Sequence, residues 1–341
     1  MGKTRDTYWD SLKFVLVFLV VLGHMIEPYI TSSKVILAVY NFIYLFHMPL
    51  FVFVSGRFSV MKERTAYRNG IVRLLETVLL AQIVWVPMVL GLKVETLSAK
   101  LILSPYWMYW YLLSLALWRM LIYLLPGRLL ERPGLMLTAS VAVSLVGGFV
   151  PVGHEFSLQR TLALLPFFMA GYYSNRTDFR NVLRRIPAPL PVVILPTVFL
   201  LLLHFGDEVP TYLLYYSGCY WDSTPLYRLI VRLALLPSAA ILGTLVMRMT
   251  PDFNVLAKWG SRTMVVYMYH GFVVLAVTLL AERSYIPTTF WPLIAYTVTT
   301  MAITLLFARL PISSKALNPI SAIVDCYQRR KEPPKEELRE P

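Results

Sequence analysis

The feature that most constrains this chain is a series of long apolar segments separated by short polar ones. Hydrophobic residues make up 57% of the 341 residues and charged residues 15%, which excludes a disordered chain and an ordinary soluble domain. A helix needs roughly 20 apolar residues to cross a bilayer. We therefore predict an all-α integral membrane protein with about ten transmembrane helices, at residues 12–28, 38–59, 70–91, 106–125, 134–150, 161–174, 189–203, 226–247, 263–281 and 290–309.

Lysine and arginine predict the orientation of these helices, because cytoplasmic loops carry an excess of positive charge. With the N-terminus in the cytoplasm, the segments on that side hold 20 of these residues and the opposite segments hold 5. We therefore predict cytoplasmic N- and C-termini and a multi-pass protein of the plasma (inner) membrane, in contact with membrane lipid. Because the basic residues are spread over the inner loops, the net charge of +13 does not indicate a nucleic-acid partner.

The segments between the spans leave no room for a soluble domain. We expect one membrane domain over residues 1–312, followed by a cytoplasmic tail, 313–341, whose charged end RRKEPPKEELREP is expected to be disordered. The chain contains no P-loop, G-x-S-x-G elbow, H-E-x-x-H motif or cysteine-rich ligand set. We therefore expect neither a metal site nor a covalent serine enzyme.

The first span carries titratable side chains, which are expensive in a membrane and usually functional. Asp10, Lys13, His24 and Glu27 fall within a sector of about 60° on one helical face. His24 lies roughly 16 Å from Lys13 along the axis, toward the outer side. A functional site at His24 is the favoured interpretation, and an interfacial histidine capped by Glu27 is the alternative.

Further polar residues lie in or beside other spans. His47 precedes Met48 and Pro49 in the second span, and a packing role and a functional role are equally compatible with it. Ser55-Gly56 in the same span predicts a close helix–helix approach. His270 lies on the ninth span. Four basic residues share the inner boundary and could bind phosphates, although positive-inside topology also requires basic residues there: Lys13, Arg57, Arg68 and Arg73.

The outer side carries its own arginines and a cluster of aromatic residues. Salt bridges are the favoured interpretation of the arginines, and contacts with a substrate are the alternative; the arginines are Arg160, Arg228 and Arg232, and the nearby acids are Glu155, Asp207, Glu208 and Asp222. The aromatic residues of 106–111 are typical of an interfacial belt, and such rings also stack on sugars.

Five segments together resemble a known family. YWDSLKFVLVFLVVLGH, FHMPLFVFVSGRF, YRNGIVRLL, RTLALLPFFMAGYY and WGSRTMVVYMYH occur in this order, as in the membrane-bound acyltransferase type 3 family, and the chain looks most like its fucose 4-O-acetylase-related branch. The resemblance implies a ten-helix enzyme that transfers an acyl group, usually acetyl, from cytoplasmic acyl-CoA to a hydroxyl of a glycan or lipid-linked sugar outside. Residues 1–312 would form the acyltransferase type 3-like membrane domain.

The resemblance also implies roles for individual residues. The family's essential first-span histidine corresponds to His24, and its arginine in an R-L pair corresponds to Arg73, with Arg68 upstream. The D-x-L-[RK] start of the family corresponds to Asp10 and Lys13. The chain departs from the family pattern at Glu76, where proline is common, and at Arg57, where an aromatic residue commonly follows Ser-Gly.

The residues of the first span and the family resemblance together lead to a specific hypothesis. His24 is the general base, or alternatively a nucleophile that carries the acyl group, and Glu27 orients its ring. Acetyl-CoA is the co-substrate, bound through the four basic residues of the inner boundary. We assign five further residues to contacts with the substrate: Asp10, His47, Arg228, Arg232 and His270. The competing interpretations are a transporter or flippase for a polar solute or glycan, and an inactive relative that serves as an assembly partner.

Overall fold

The computed structural model describes residues 6–151, 157–260, 262–283 and 285–310, and this part of the chain is helical without β-strands. The tail 313–341, the end of the expected membrane domain and Glu155 lie outside the described residues. The helices are α1 Thr7–Ile26, α2 Lys34–Arg57, α3 Arg64–Gly91, α4 Ala99–Leu103, α5 Trp110–Leu124, α6 Gly127–Leu130, α7 Pro133–Val146, α8 Leu158–Ser174, α9 Phe179–Arg184, α10 Pro189–Phe205, α11 Pro225–Met249, α12 Asn254–Gly260, α13 Thr263–Glu282 and α14 Phe290–Phe307.

A helix lies at each of the ten predicted spans, but the helices differ in length. Seven are long and apolar enough to cross a membrane: α1, α2, α3, α10, α11, α13 and α14. The other three, α5, α7 and α8, have 15, 14 and 17 residues. At 1.5 Å per residue, they fall short of a hydrocarbon core about 30 Å thick. The chain is therefore a multi-pass membrane protein, while ten crossings and the positions of the termini stay predictions.

The first two helices lie at the centre of the bundle. Within the described residues, 67% of the apolar window of α1 and 61% of that of α2 is buried, against 11% for α10. Helix α1 packs against α2, α12, α13 and α14. A span surrounded by protein can carry polar side chains without exposing them to lipid, and α1 is such a span.

Two glycines allow α2 and α8 to approach closely. A Cβ on Gly56 would overlap the carbonyl oxygen of Phe168, and a Cβ on Gly171 would overlap the carbonyl oxygen of Phe53. Small residues at facing positions let two helix backbones come together in a membrane. The close approach predicted from Ser55-Gly56 is confirmed, and Gly171 is its counterpart on α8.

Candidate functional site

The last turn of α1 brings His24 against Glu27. Nδ1 of His24 lies 3.1 Å from Oε2 of Glu27, and the indole N–H of Trp107 donates to the same carboxylate oxygen at 3.4 Å. Because an ionised carboxylate can only accept hydrogen bonds, the neutral imidazole carries its proton on Nδ1. Its Nε2 then has a lone pair with which it can take a proton from a hydroxyl.

Aromatic rings enclose His24. The centroid of the Trp107 ring lies 4.6 Å from that of His24, and the ring of His270 stacks on His24 at 5.6 Å. Trp107 has a φ of 45°, in the left-handed region that non-glycine residues rarely adopt. Strain of this kind persists where the surrounding structure holds it, often at functional sites.

The other two predicted histidines are buried and fixed in the same tautomer. Nδ1 of His47 lies 2.8 Å from the carbonyl oxygen of Ile43, and Nδ1 of His270 lies 3.0 Å from that of Val266. A carbonyl oxygen can only accept, so Nδ1 carries the proton in each ring. Nε2 of His270 is buried without a hydrogen-bond partner in the structure.

Three cavities meet around this histidine cluster. The tryptophan cavity, about 430 Å³, is lined by His24, Glu27, Trp85 and Trp107 among others. The histidine cavity, about 80 Å³, is lined by His24, His47, Trp107 and Arg160 among others. The arginine cavity, about 280 Å³, lies beside them and is lined by Lys100, Trp107, Trp110, Gln159, Arg160 and Tyr215 among others. Trp107 lines all three.

A fourth cavity lies near the beginning of α1. This lysine cavity, about 210 Å³, is lined by Lys13, Ser59, Arg119 and Tyr267 among others. Lys13 is paired with Asp10 at 2.7 Å, and Nε of Arg119 donates to Oγ of Ser59 at 3.3 Å. The lysine cavity is thus a small chamber with two cationic side chains at the opposite end of α1 from His24.

A short row of rings joins the two ends of α1. Tyr267 lines the lysine cavity, and its ring centroid lies 6.0 Å from that of His270, which stacks on His24. The Tyr267 hydroxyl donates to the carbonyl oxygen of Met108. The lysine cavity and the histidine cluster are therefore connected through the Tyr267 and His270 rings.

The other basic residues of the inner boundary do not line the lysine cavity. Arg57 donates from Nη1 to the carbonyl oxygen of Ser174 at 2.6 Å and lies 4.3 Å above the Trp9 ring. Arg68 and Arg73 lie on an exposed face of α3. Their predicted contacts with the CoA phosphates stay predictions.

Two of the residues assigned to the substrate, Arg228 and Arg232, contact the protein itself. Arg228 donates from Nε to Oγ of Ser223 at 2.9 Å and lies 3.8 Å from Asp222, as the salt-bridge interpretation expects. Arg232 is 6% exposed and donates to the carbonyl oxygen of Ser144 at 3.0 Å. Asp10 is paired with Lys13. The structure therefore brings His24, Glu27, His47 and His270 together, but not Arg228, Arg232 or Asp10 with them.

Sequence reasoning missed Arg119, Gln159 and Lys100, which line these cavities, as site residues. Arg119 stands within the fourth predicted span, and a charge inside a span was the available signal. Gln159 immediately precedes Arg160, and no sequence pattern distinguishes it. Arg160 itself is not ion-paired within the described part of the chain; its guanidinium carbon lies 4.8 Å above the Trp110 ring.

Comparison with known proteins places the chain in a family. Residues 6–309 match the profile of the acyltransferase family 3, which is described as an acyltransferase domain. The chain belongs to this family. It is an acyltransferase of the membrane-embedded kind, and the resemblance drawn from its motifs is confirmed at the level of the family, whereas the fucose 4-O-acetylase-related branch stays a prediction.

Curated relatives of this acyltransferase match only in part. Nodulation protein NolL of Mesorhizobium japonicum is 27% identical over 124 residues, which cover 32% of this chain and 33% of that protein. Nodulation protein NolL of Sinorhizobium fredii is 40% identical over 58 residues, 16% of each chain. The matched segments thus span about a third and about a sixth of these relatives. No solved structure matches the chain.

Proposed function

We propose that this acyltransferase moves an acyl group, expected to be acetyl, from cytoplasmic acyl-CoA to a hydroxyl of an extracytoplasmic glycan or lipid-linked sugar, in the plasma membrane. The observation that supports this proposal most directly is the His24–Glu27 pair at 3.1 Å. It lies where the tryptophan cavity and the histidine cavity meet. A histidine whose Nδ1 is held by a carboxylate is a typical general base for acyl transfer.

In the proposed reaction, Nε2 of His24 takes the proton of the acceptor hydroxyl while the oxygen attacks the thioester carbonyl. The tetrahedral intermediate then collapses to the ester, the C–S bond breaks, and the imidazolium returns its proton to the leaving thiolate, so that free CoA is released. Glu27 stabilises the imidazolium through Nδ1–H. General base catalysis of this kind contributes about 10²–10⁴-fold in rate. A transient acyl-His24 is the alternative route.

The donor is proposed to enter at the lysine cavity. Lys13 and Arg119, which line it, would hold the phosphates together with Arg57, Arg68 and Arg73 at the same boundary, because cations bind phosphate through charge-assisted hydrogen bonds. The pantetheine arm would then extend roughly 16 Å along α1 to His24. The described residues contain no group of three or more potential metal ligands, and no step of the proposed reaction needs a metal.

A donor-binding experiment tests this proposal without knowledge of the acceptor. We would measure the melting temperature of the purified full chain against increasing acetyl-CoA and against S-acetyl-pantetheine, which lacks the nucleotide phosphates. A ligand that binds only the folded state raises the melting temperature with concentration. We expect a saturable rise with acetyl-CoA at a much lower concentration than with S-acetyl-pantetheine.

Two variants sharpen this experiment. Arg119→Ala should weaken the binding of acetyl-CoA and leave the binding of S-acetyl-pantetheine unchanged. Arg283 is an exposed arginine at the end of α13, and Arg283→Ala should change the binding of neither ligand. The absence of any shift by acetyl-CoA up to millimolar concentration would overturn the proposed donor.

A further inference from the structure

The arginine cavity has a cationic lining, and the acids near it, Glu27 and Glu95, line the adjoining cavities. Arg160 and Lys100 both line it, and no aspartate or glutamate does so among the described residues. Nε of Arg160 is buried and has no hydrogen-bond partner. The Trp110 ring beneath the guanidinium, at 4.8 Å, holds it in place but supplies no acceptor for its N–H groups. This cavity therefore presents positive charge and one buried donor, Nε of Arg160, without a partner.

The same cavity also presents an unused acceptor. Gln159 is 2% exposed, and its amide nitrogen donates to the carbonyl oxygens of Gly147 at 3.2 Å and Val150 at 2.8 Å. Because those carbonyls can only accept, they fix the orientation of the amide. Oε1 of Gln159 is left buried without a partner. A buried acceptor without a partner is destabilising, and a ligand hydroxyl that donates to it would remove that cost.

Aromatic rings complete the lining and connect it to the catalytic histidine. Trp107 and Trp110 line the arginine cavity, and Trp107 also packs on His24 at 4.6 Å. The Tyr215 hydroxyl is hydrogen-bonded to that of Tyr40 at 2.9 Å. Arg160 and Tyr215 line the histidine cavity as well, so a ligand in the arginine cavity borders directly on the space in front of His24.

These three properties together point to one class of ligand. Arg160, which has no ion pair among the described residues, and the exposed Lys100 favour an anion, since a guanidinium binds carboxylate and phosphate through charge-assisted hydrogen bonds. The free amide oxygen requires a hydroxyl donor, and tryptophan faces suit a sugar ring. A neutral sugar would leave the cations unpaired, and a simple anion would leave Gln159 unpaired.

We infer that the arginine cavity, lined by Arg160, Lys100, Gln159 and the two tryptophans, binds the acceptor as an anionic sugar, one that carries a carboxylate or a phosphate. The anion pairs with Arg160 and Lys100, a ring hydroxyl donates to Gln159, and the hydroxyl to be acylated is directed toward His24. That the bound sugar is the acceptor rests on the function proposed above, whereas the binding of an anionic sugar does not.

The test measures binding of defined probes by tryptophan fluorescence and by melting temperature, with the full chain in detergent. The probes are galacturonic acid, galactose 1-phosphate and farnesyl phosphate, with galactose as the uncharged control. Galacturonic acid and galactose 1-phosphate test a carboxylate and a phosphate on a sugar, and farnesyl phosphate tests a lipid phosphate without a sugar. We expect a saturable response to at least one of the two charged sugars, and a dissociation constant at least tenfold higher for galactose.

Variants assign the response to this cavity. Arg160→Gln should weaken binding of the charged sugar about tenfold to a hundredfold, because a hydrogen bond to a charged group is lost. The affinity of this variant for the charged sugar should then equal its affinity for galactose. Arg160→Lys, which keeps the charge, should retain part of the affinity. Arg283→Gln, which removes a positive charge from an exposed site at the same end of the molecule, should leave the response unchanged.

The melting transition shows that each variant is folded, and acetyl-CoA, added to each variant, separates this inference from the proposed function. A response to acetyl-CoA without a response to either charged sugar overturns the anionic acceptor and leaves the donor proposal standing. The inferred site for an anionic sugar would also be overturned by equal responses to galactose and the charged sugars or by a response to farnesyl phosphate alone. Normal binding of the charged sugars by Arg160→Gln would overturn it as well. Binding of a charged sugar without any response to acetyl-CoA would support the site and reject the donor.

Discussion

The two ends of α1 differ in how their polar groups are satisfied. At the Lys13 end, charged side chains have protein partners: Lys13 with Asp10 at 2.7 Å, and Arg180 with Asp252 at 2.6 Å. Toward the His24 end lie almost all the buried polar side-chain atoms of the described residues that have no partner. They are Tyr29 Oη, Asn41 Oδ1, Gln159 Oε1, Arg160 Nε, Tyr216 Oη, Tyr220 Oη and His270 Nε2, and only Trp9 Nε1 lies at the Lys13 end.

Backbone strain follows the same division. Three of the four non-glycine residues with positive φ in the described ranges line the cavities at the His24 end, namely Trp107, Ser157 and Tyr216. Unpaired buried groups and strained residues reduce stability, and proteins keep them mainly where they serve a function. The unpaired groups and the strained residues thus lie mainly at the His24 end, where they support the ligand sites proposed above, whereas the charged side chains named at the Lys13 end are paired within the protein.

The largest effect is expected from removing the imidazole. His24→Ala should lower acetyl transfer by about 10²–10⁴-fold while the melting temperature changes little, because His24 is only partly buried, near the end of α1. The measurement is transfer of radiolabel from acetyl-CoA to the glycan and lipid fractions of membrane vesicles. His204→Ala is the matched control, since His204 is an exposed histidine in the last turn of α10, and it should retain activity. Full transfer by His24→Ala would contradict both the general-base and the acyl-histidine route.

A substitution that disturbs the packing of α2 against α8 should affect ligand binding at both ends of α1 equally. In Gly171→Ala the new methyl group meets the Phe53 carbonyl, so α2 and α8 must separate, and overpacking of this kind costs about 1–3 kcal/mol. We expect a lower melting temperature and a proportional loss of donor and acceptor binding. Gly134→Ala, where a Cβ meets nothing within 4 Å, is the control. Normal stability of Gly171→Ala would show that the close approach is not required.

A smaller and purely catalytic effect is expected at the carboxylate. Glu27→Gln keeps an oxygen that can accept from Nδ1 of His24 but removes the charge, and a charged acceptor is about twice as strong as a neutral one. The loss corresponds to about 1 kcal/mol, or roughly fivefold in turnover. The measurement compares the turnover number and the KM for acetyl-CoA. The KM should stay constant, because Glu27 is remote from the lysine cavity; a raised KM with unchanged turnover would assign Glu27 to donor binding instead.

The sequence predicted the helices and the His24–Glu27 contact better than it predicted the surroundings of either end of α1. Hydrophobic segments located a helix at every predicted span, and the spacing of His24 and Glu27 on one face predicted their contact, because both signals are local. The neighbours of His24 could not be predicted in the same way: Trp107, His270 and Arg160 come from three other helices or turns, and only tertiary packing brings them together. At the inner boundary, counts of basic residues pointed to Arg57, whose partner Ser174 lies on another helix, and overlooked Arg119.

The smallest effect is expected at the Lys13 end of α1, where an ion pair stabilises the fold. The Thr7 hydroxyl, at 2.5 Å, and the Arg180 guanidinium lower the pKa of the exposed Asp252 carboxyl from its ordinary value of 3.8. Because the pKa is lower in the folded state, the stabilisation is complete at neutral pH and is lost as the pH falls through the unfolded and then the folded value. Asp252→Asn should therefore lower the melting temperature slightly at pH 7, where the lost stability is less than about 1 kcal/mol for so exposed a group, and should lower it less at pH 3, where part of the stabilisation is already lost. Acetyl transfer should be unchanged, since Asp252 does not line the lysine cavity proposed for the donor. An Asp252→Asn variant that loses transfer at unchanged stability would contradict this, because it would show that the ion pair of Asp252 with Arg180 serves the reaction and not only the stability of the fold.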